Sequence, residues 1–378
     1  MKILTLSNCP LIESQGSGYV IVNYARGMRA KGHEVDLFGP ESLEIFPFIQ
    51  KAKSHRISLG MVLCALRHIY RKNYDIVEFY GCEAWLAITL LRRIPRRRFA
   101  LVSHSNGLEV QCREVIEHHL GTASHDGASL RWYQRLPIPI ERAFRESDGI
   151  VTVSEFDRKF AVQRRYQPSE RVLAIDNPLP DEFLGLPVRF DRDSRIGFCG
   201  MWIPRKGIAA IVQDTAALLT EFPGTTLLFA GVGEEFRKEE VFPLHLASRI
   251  EVFPCLRTKN QLRAFYESIS LLIMPSIYES FGLVCAEAMA CGCAVVATAT
   301  GFAATLVDRE EIQLMKAPHS PSLYEAVKEL LVNDEFRQHL ARGGYDRVQC
   351  LRWDAAVDRL ESTYLDWAQR RLVLSRTL

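Results

Sequence analysis

An alternation of strand and helix patterns, repeated in each half of the chain, constrains the fold more than any other feature. In the first half, strand patterns such as MKILTLS and YDIVEFY alternate with helix patterns such as the one that ends at Gly32. After a charged, proline-containing segment the alternation starts again with RIGFCG. Alternation of this kind predicts an α/β fold, in which helices cover both faces of parallel sheets. We therefore expect two doubly wound, Rossmann-like domains that face a central cleft.

The length of the chain and one charged, proline-containing segment indicate where the boundary between the two halves lies. At 378 residues the chain is long for a single hydrophobic core, so two domains are the expectation. The charged segment 179–194 is the natural linker. We predict one domain over residues 1–180, a second over 181–354, and a last helix within 355–378.

Two glutamates, Glu279 and Glu287, stand eight residues apart in a stretch that is otherwise almost free of charge. The pattern predicts a loop that carries Glu279 and then a helix from about Phe281 to Ala290. No cation lies three or four positions from Glu287, so its partner is a ligand hydroxyl or a group from another segment. Glu279 lies at the start of the helix, where unsatisfied amides and the helix dipole favour phosphate.

Glycine-containing loops follow two of the predicted strands. Gly16 and Gly18 lie between the first strand and the first helix, and Gly231 follows the strand TTLLFA. Glycine lets backbone amides approach a phosphate closely. Both loops lack the third glycine of the dinucleotide fingerprint, which disfavours a nicotinamide oxidoreductase. A plain strand-to-helix turn remains the alternative at each position.

Several polar side chains lie where predicted strands end. Lys206, with Arg205 beside it, follows the RIGFCG strand and could neutralise a diphosphate leaving group, although exposed loop cations are more often solvated. His104 ends the FALVSHS strand, where we expect it to face the cleft and to hydrogen-bond a sugar or a reacting carbonyl. A structural histidine is the alternative. Asn106 and Glu109 follow in what we interpret as a cleft-lining loop.

The net charge of +2 hides an asymmetry between the halves. Residues 1–180 contain 25 Lys and Arg against 19 Asp and Glu, whereas the remainder contains 22 against 26. Part of the basic excess is a cluster that consists of Arg92, Arg93, Arg96, Arg97 and Arg98. Two interpretations stay open: a solvated turn, or a patch that contacts anionic lipid or a phosphorylated acceptor. No aromatic residues alternate with these arginines, so we expect no nucleic-acid partner.

Composition is that of an ordinary globular protein, with 48% hydrophobic and 24% charged residues. No apolar run reaches the length of a transmembrane helix, and MKILTLSN is interpreted as a first strand instead of a signal peptide. Ten cysteines without framework spacing predict reduced thiols in a cytoplasmic protein. Asp191 and Asp193 have the spacing of a cation-binding pair but precede a strand, so we interpret them as solvated charges.

The order of these segments resembles that of the retaining glycosyltransferases of family 4, which have the GT-B fold. The signature is the Glu-x7-Glu pair formed by Glu279 and Glu287. Around it match, in the same order, the loop at Gly16, His104, ESDGIVTVSEF, Asn177, GMWIPRKG, FAGVG and RIEVFP. The resemblance covers nearly the whole chain.

The resemblance implies roles for the matching positions. Glu287 would bind the ribose of a nucleotide, and Glu279 would hold the hydroxyls of the donor sugar. Lys206 would bind the diphosphate, Gly18 would bring a backbone amide to it, and His104 would contact the sugar near the reacting carbon. The other donor-binding positions would be Gly16, Arg205, Gly231, Leu256, Arg257, Ser280, Phe281, Gly282 and Leu283. Asn106 and Glu109 would contact the acceptor.

Two positions depart from the family pattern. The family usually has arginine directly after the glycine of its Gly-Arg-x4-Lys-Gly motif, and here that position is Met201. One charged hydrogen bond, worth about 1.5–3 kcal/mol, is then missing unless Arg205 supplies it. The common Asn-Gly after the last strand of the first half is Asn177-Pro178.

We predict a retaining hexosyltransferase that moves a sugar from a nucleotide-diphosphate sugar to a carbohydrate or lipid-linked acceptor in glycan biosynthesis. UDP-glucose is the favoured donor because UDP donors are common in the family. The first domain would bind the acceptor, the second the donor, and the last helix would pack back on the first. No metal or cofactor is expected, since lysine and helix amides neutralise the phosphates. The alternative is a non-catalytic nucleotide-sugar or glycan-binding protein, for which Met201 is the main support.

Overall fold

The computed structural model describes residues 1–12, 16–49, 51–121 and 139–377, which form two compact α/β units. The first unit contains the described residues of Met1–Glu114, Gly127–Asn177 and Trp353–Leu378, and the second those of Val115–Asp126 and Pro178–Arg352. Each unit is built on a six-stranded parallel sheet, so the predicted α/β class is confirmed.

The first sheet consists of β1 (Lys2–Ser7), β2 (Glu34–Phe38), β3 (Ile76–Tyr80), β4 (Ala100–His104), β5 (Gly149–Thr152) and β6 (Val172–Ala174). The second consists of β7 (Arg195–Cys199), β8 (Thr226–Ala230), β9 (Ile250–Phe253), β10 (Leu271–Met274), β11 (Ala294–Thr298) and β12 (Gln313–Met315). Their spatial orders are β2-β1-β3-β4-β5-β6 and β12-β11-β10-β7-β8-β9.

The helices that precede β7 are α1 (Gly16–Ala30), α2 (Pro40–Leu43), α3 (Lys53–Ile69), α4 (Trp85–Leu91), α5 (Glu109–Leu120), α6 (Ile140–Glu146) and α7 (Glu155–Gln163). Those that follow it are α8 (Ile208–Glu221), α9 (Lys238–Val241), α10 (Lys259–Glu267), α11 (Leu283–Ala290), α12 (Ser322–Val332), α13 (Asp334–Val348) and α14 (Trp353–Thr377). None of these helices is both long enough and apolar enough to cross a bilayer.

Alternation along the strands explains why helices cover both faces of the first sheet. Ile3 of β1 packs in one core cluster with residues of α1 and α14, whereas Leu4 and Leu6 pack in another with residues of α3 and α4. Successive strand residues point to opposite faces, so an apolar strand needs a helical cover on each side.

Helix α14 completes the first unit although it lies far along the chain. The indole Nε1 of Trp353 donates to the Tyr19 hydroxyl at 3.1 Å. A Cβ atom added to Gly149 of β5 would lie 2.5 Å from the Trp367 ring, so only glycine allows the helix to approach the sheet so closely. Helices α1 and α14 therefore share the cover of one face of the first sheet.

Each sheet has a topological switch point, where consecutive crossovers leave in opposite directions. The switch lies between β1 and β3 in the first sheet and between β7 and β10 in the second. In parallel α/β sheets the crevice outside the carboxyl ends of the strands at this point is the usual ligand site. The loops after β1, β3, β7 and β10 therefore hold the candidate functional residues.

Candidate active site

The loops after β7 and β10 meet at the switch point of the second sheet. Pro204–Lys206 forms a short 3-10 turn that ends at Gly207 in the left-handed region, with φ of 73°. A Cβ atom there would lie 2.1 Å from the carbonyl oxygen of Pro275, and the Ile277 amide donates to the Arg205 carbonyl at 2.8 Å. This close contact places the cations of the first loop against the acidic group of the second.

Lys206 and Glu279 form an ion pair at this point, with 2.5 Å between Nζ and Oε1. The Ser276 hydroxyl donates to the same oxygen at 2.7 Å, and the Glu279 amide donates to Thr300 Oγ1 at 2.9 Å. Glu279 is only 8% exposed. Its carboxylate is thus fixed from two sides, as a group that positions a ligand has to be.

Arg205 approaches the same carboxylate from a third direction. Its Nη1 donates to the Tyr278 carbonyl at 2.9 Å and lies 3.8 Å from Glu279 Oε2. Met201, which stands where the family usually has arginine, is 60% exposed and adds no charge. Arg205 and Lys206 are therefore the two cations that surround Glu279.

Helix α11 starts two residues later than predicted and directs its amino end into this region. Gly282 precedes it with φ of 85°, and Leu283 is its first residue. Phe281 is buried against Phe302, with 5.1 Å between ring centroids, and the Ser280 hydroxyl donates to that of Tyr278 at 3.2 Å. The Cys285 amide donates to the Gly282 carbonyl at 2.9 Å, so the amides of Leu283 and Val284, together with the two cations, form a site that suits an anion.

Glu287 lies on α11 and finds its partner on another segment. The Tyr266 hydroxyl of α10 donates to Glu287 Oε2 at 3.0 Å. Burial raises the pKa of Glu287 to about 7, and the hydrogen bond from Tyr266 opposes this rise. Since a carboxylate can accept further hydrogen bonds, Glu287 remains able to bind a diol.

The other predicted donor positions of the second unit lie at the same edge of the sheet. Gly231 follows β8 with φ of 70°, and a Cβ atom there would lie 3.7 Å from the Gly200 nitrogen at the end of β7. Leu256 and Arg257 follow β9 and precede α10, and the Arg257 amide donates to Gln261 Oε1 at 2.9 Å. Their contact with a base stays a prediction.

Gly16 and Gly18 form the first turn of α1 and not a loop before it, which corrects the predicted helix start. A Cβ atom on Gly18 would lie 2.2 Å from the carbonyl oxygen of Pro10. The close approach of the preceding turn is sufficient reason for glycine at this position. A phosphate contact stays a prediction.

His104 ends β4 as predicted, but its side chain is buried instead of facing an open edge. Its Nε2 lies 2.9 Å from the hydroxyl of Tyr364, which itself donates to Glu78. The tyrosine proton is used by Glu78, so Nε2 of His104 is the donor in the first bond. Burial lowers the pKa of His104 to about 3, which keeps the imidazole neutral. A contact between His104 and the donor sugar stays a prediction.

A polar cluster that sequence reasoning missed lies at the switch point of the first sheet. Asn8, after β1, donates from Nδ2 to Glu83 Oε2, after β3, at 2.6 Å. A Cβ atom on Gly81 would lie 2.2 Å from the Asn8 side chain, so glycine is required there. Asn8 and Glu83 belong to no short motif, and only their positions directly after adjacent strands could have indicated them.

Asn106 and Glu109 join this cluster from the end of β4. The Asn106 amide lies 3.7 Å from the Cys9 sulfur, which in turn lies 3.2 Å from Asn8 Oδ1. Glu109 is the first residue of α5 and not a loop residue, and its buried Oε2 has no hydrogen-bond partner in the described part of the chain. Burial, helped by the charge of Glu83, raises the pKa of Glu109 to about 7.

Two family models match consecutive parts of this chain. The model for glycosyltransferase family 4 matches residues 14–183, and the model for glycosyl transferases group 1 matches residues 187–347. The two matches meet between the units, and the second contains Lys206, Glu279 and Glu287. The chain is a family 4-like glycosyltransferase. The predicted family is thus confirmed.

Known relatives and solved structures agree with this assignment. A D-inositol 3-phosphate glycosyltransferase of Corynebacterium jeikeium is 31% identical over 191 residues, which are 48% of this chain and 45% of the relative. The chain thus matches about half the length of such curated relatives. The sucrose-phosphate synthase of Thermosynechococcus elongatus superposes with a TM-score of 0.77 at 18% identity, covering 97% of this chain and 99% of that one. Anabaena HepE, solved with UDP and glucose, superposes with a TM-score of 0.67 at 18% identity, covering 97% of this chain and 100% of that one. These likenesses show the GT-B fold.

Two other charged features of this glycosyltransferase lie outside the described sites. Arg97 of the predicted basic cluster is buried and pairs with Asp148 at 2.5 Å, whereas its four neighbours are exposed. Asp191 and Asp193 are exposed and precede β7, at the sheet edge opposite Lys206. Within residues 1–12, 16–49, 51–121 and 139–377, no three His, Cys, Asp or Glu side chains are grouped to hold a metal.

Proposed function

We propose that this glycosyltransferase moves a hexose, with retention of configuration, from a nucleotide-diphosphate sugar to a carbohydrate or lipid-linked acceptor. The single observation that carries the proposal is the ion pair of Lys206 and Glu279, which lies beside the amino end of α11 at the switch point of the second sheet. A diphosphate and a sugar hydroxyl need a cation, free amides and a fixed carboxylate, and this point offers all three.

The proposed reaction breaks the bond between the anomeric carbon and the diphosphate oxygen and forms one to the acceptor oxygen. The departing diphosphate takes the electron pair of the broken bond and also receives the proton of the acceptor hydroxyl. Lys206, Arg205 and the first amides of α11 stabilise the charge that develops on the diphosphate. Glu279 holds the sugar hydroxyls, and Glu287 accepts hydrogen bonds from the ribose.

UDP-glucose is the donor that we favour. Its support is the likeness in fold to HepE, which has been solved with UDP and glucose, together with the common use of UDP in the family. The polar residues of the second-unit site do not by themselves select a base, so GDP and ADP donors enter the same experiment as competitors.

The acceptor that we favour offers hydroxyl groups, and not a phosphate, to the first unit. Glu83 is 6% exposed, and Glu109 has a buried oxygen without a partner in the described ranges. Two carboxyl groups at one switch point form hydrogen bonds with the hydroxyls of a polyol, and neither of them attracts a phosphate as a cation would. The relatives named for inositol 3-phosphate would then differ from this chain in their acceptor.

The test is transfer of radiolabelled sugar from UDP-, GDP- and ADP-sugars to a panel of neutral and phosphorylated acceptors. We expect turnover with a UDP-hexose, and in Glu279→Ala we expect loss of turnover with UDP binding at least as tight as in the wild type, because the diphosphate no longer competes with Glu279 for Lys206. The reaction is expected to continue in the presence of a chelator, because lysine and helix amides replace the metal. Turnover that occurs only with phosphorylated acceptors would contradict the acceptor assignment.

Met201 supports a second candidate, a nucleotide-sugar-binding protein without turnover, because the phosphate site has one cation fewer than the family usually has. Tight UDP binding with no transfer to any acceptor would favour it. We also propose a cytoplasmic location with peripheral membrane contact through the basic first unit, which a lipid-linked acceptor would require.

A further inference from the structure

The loop between α2 and α3 exposes three large apolar side chains to solvent. Phe48 is 79% exposed, Phe46 is 56% exposed and Ile49 is 43% exposed. Phe46 and Ala52 both have positive φ, of 53° and 55°, which is a costly conformation for residues other than glycine. The centroids of the two phenylalanine rings are 6.0 Å apart, so the rings contact each other at the surface.

Helix α3 continues the apolar surface along its outer side. Its inner residues, among them Ile57 and Met61, are buried in the core below the first sheet. On the outer side Leu59 and Leu63 are 43% and 53% exposed, and Tyr70, beyond the helix end, is 83% exposed. Arg56 ties the loop to the helix, because it pairs with Glu44 at 2.5 Å and donates to the Lys51 carbonyl. We call these exposed residues the α2–α3 surface.

Basic residues frame the α2–α3 surface, and acidic residues are absent from it. The 30 residues from Ile45 to Tyr74 contain six Lys and Arg and no Asp or Glu. Among the described residues no acidic side chain pairs with Lys51, Arg67 or Arg71, which are all exposed. The neighbouring helix α4 adds exposed Leu90.

We infer that the α2–α3 surface docks on a lipid bilayer that contains anionic headgroups. The inference deepens the proposed function, because it rests on the membrane contact that a lipid-linked acceptor requires and names the surface that makes it. Aromatic and branched aliphatic side chains would enter the boundary between headgroups and acyl chains, while the surrounding cations bind the headgroups. A second copy of the chain fits less well, since a two-fold interface would place these cations opposite themselves.

The experiment measures binding of the full chain to phosphatidylcholine vesicles with and without phosphatidylglycerol. We expect binding only to the anionic vesicles, and weaker binding at high salt. Phe46→Ser with Phe48→Ser should lower the partition coefficient by about tenfold or more, as the loss of two buried rings requires. Arg67→Glu with Arg71→Glu should lower it by a similar factor.

Two matched controls separate docking from general surface hydrophobicity. Leu244 and Val332 are 75% and 65% exposed in the second unit, and Leu244→Ser with Val332→Ser should leave vesicle binding unchanged. Donor hydrolysis and transfer to a water-soluble acceptor should be equal in all variants, because none of these residues contacts the candidate site. If the wild type binds anionic vesicles but transfers no sugar to any acceptor, the proposed function is overturned and the docking inference is not.

Three outcomes would overturn the docking inference itself. The first is absence of wild-type binding to anionic vesicles, and the second is full binding by the phenylalanine double variant. The third is a wild-type dimer, seen in sedimentation, that becomes a monomer in the double variant while vesicle binding is absent. That result would assign the α2–α3 surface to contacts between copies.

Discussion

Lys206 and Glu279 neutralise each other, so a diphosphate has to replace one partner of an existing ion pair. The pair is largely buried, with the two side chains 14% and 10% exposed. A buried charge that loses its partner is strongly destabilised unless another group replaces it. The diphosphate can take over Lys206 while sugar hydroxyls take over Glu279, which couples recognition of the two halves of the donor.

Met201→Arg tests whether the phosphate site lacks one cation. Position 201 is exposed and directly follows Gly200. A Cβ atom added to Gly200 would lie 3.7 Å from Lys206 Cε, so this part of the backbone is close to the lysine. A guanidinium there should tighten UDP binding by about tenfold, as one charged hydrogen bond predicts. Calorimetry with UDP and with uridine checks it, and uridine affinity should not change. Met201→Gln is the control, and equal UDP affinity in all three proteins would contradict the prediction.

Glu287 should make nucleotide binding dependent on pH. Ribose hydroxyls donate to the ionised carboxylate, and the pKa of Glu287 in the free protein is about 7. UDP affinity should therefore rise from pH 6 to 8, by at most about tenfold per unit, with proton release on binding. Calorimetry in buffers of different ionisation enthalpy measures that release.

Tyr266→Phe tests whether the pH dependence of UDP binding comes from Glu287, because it should shift that dependence in a known direction. The tyrosine hydrogen bond lowers the pKa of Glu287, so its removal should move the rise in affinity to higher pH. Tyr324→Phe, in the same unit but on α12, should leave the profile in place. A UDP affinity that does not vary between pH 6 and 8 would exclude ribose binding by Glu287.

The sequence predicted the donor side of the candidate site better than the acceptor side. Glu279, Glu287 and Lys206 stand in contiguous motifs, and an apolar surrounding makes an isolated carboxylate visible in the sequence. Asn8 and Glu83 meet only through the pairing of β1 with β3, which brings together residues 75 positions apart. His104 was placed at the correct strand end, but its burial depends on Tyr364 of α14.

At the scale of elements, parallel strands were the most predictable part of the fold. Their apolar runs are continuous because both faces are covered. The helices of the first unit were less visible, since α3 carries leucines on its solvent side as well as its core side. The predicted start of α1 is late because glycines such as Gly16 and Gly18 are typical of loops, although glycine also permits close packing inside a helix.

Gly149→Ala tests the packing of α14 against the first sheet. The new methyl group would lie 2.5 Å from the Trp367 ring, so we expect the free energy of unfolding to fall by about 1–3 kcal/mol. Urea denaturation measures it. Gly224→Ala is the control, because open space surrounds Gly224 and its φ is not positive.

A double variant shows whether the Trp367 ring causes the loss of stability in Gly149→Ala. In a Trp367→Leu background the same Gly149→Ala change should be less destabilising, since the smaller side chain leaves room for the methyl group. An equal loss of stability with Trp and with Leu at position 367 would show that the strand, and not the helix contact, requires glycine.

For the whole molecule, two partly buried carboxyl groups should set part of the pH dependence of stability. Burial raises the pKa of Glu109 and of Glu287 from 4.5 to about 7. Between these values the folded state binds more protons than the unfolded state, so each group lowers the free energy of unfolding as pH rises. The slope is at most about 1.4 kcal/mol per pH unit for each group.

The double variant Glu109→Gln with Glu287→Gln should therefore gain stability over the wild type as pH rises from 4.5 to 7. Above pH 7 the difference should be constant, because both states of the wild type are then ionised. Urea denaturation at several pH values measures the free energy of unfolding of both proteins. Subtracting one from the other removes the contributions of the titratable groups that the two proteins share. A difference that is the same at pH 4.5 and pH 7 would contradict the raised pKa values.

The cover of the first sheet by α14 has a consequence for synthesis on the ribosome. Residues 178–352 form most of the second unit and leave the ribosome before residues 353–377 do. Until then, the face of the first sheet that includes Ile3, Ile76 and Val102 lacks its α14 partners. The nascent chain can complete its second unit while its first still exposes apolar surface, which is the period in which a chaperone would be needed.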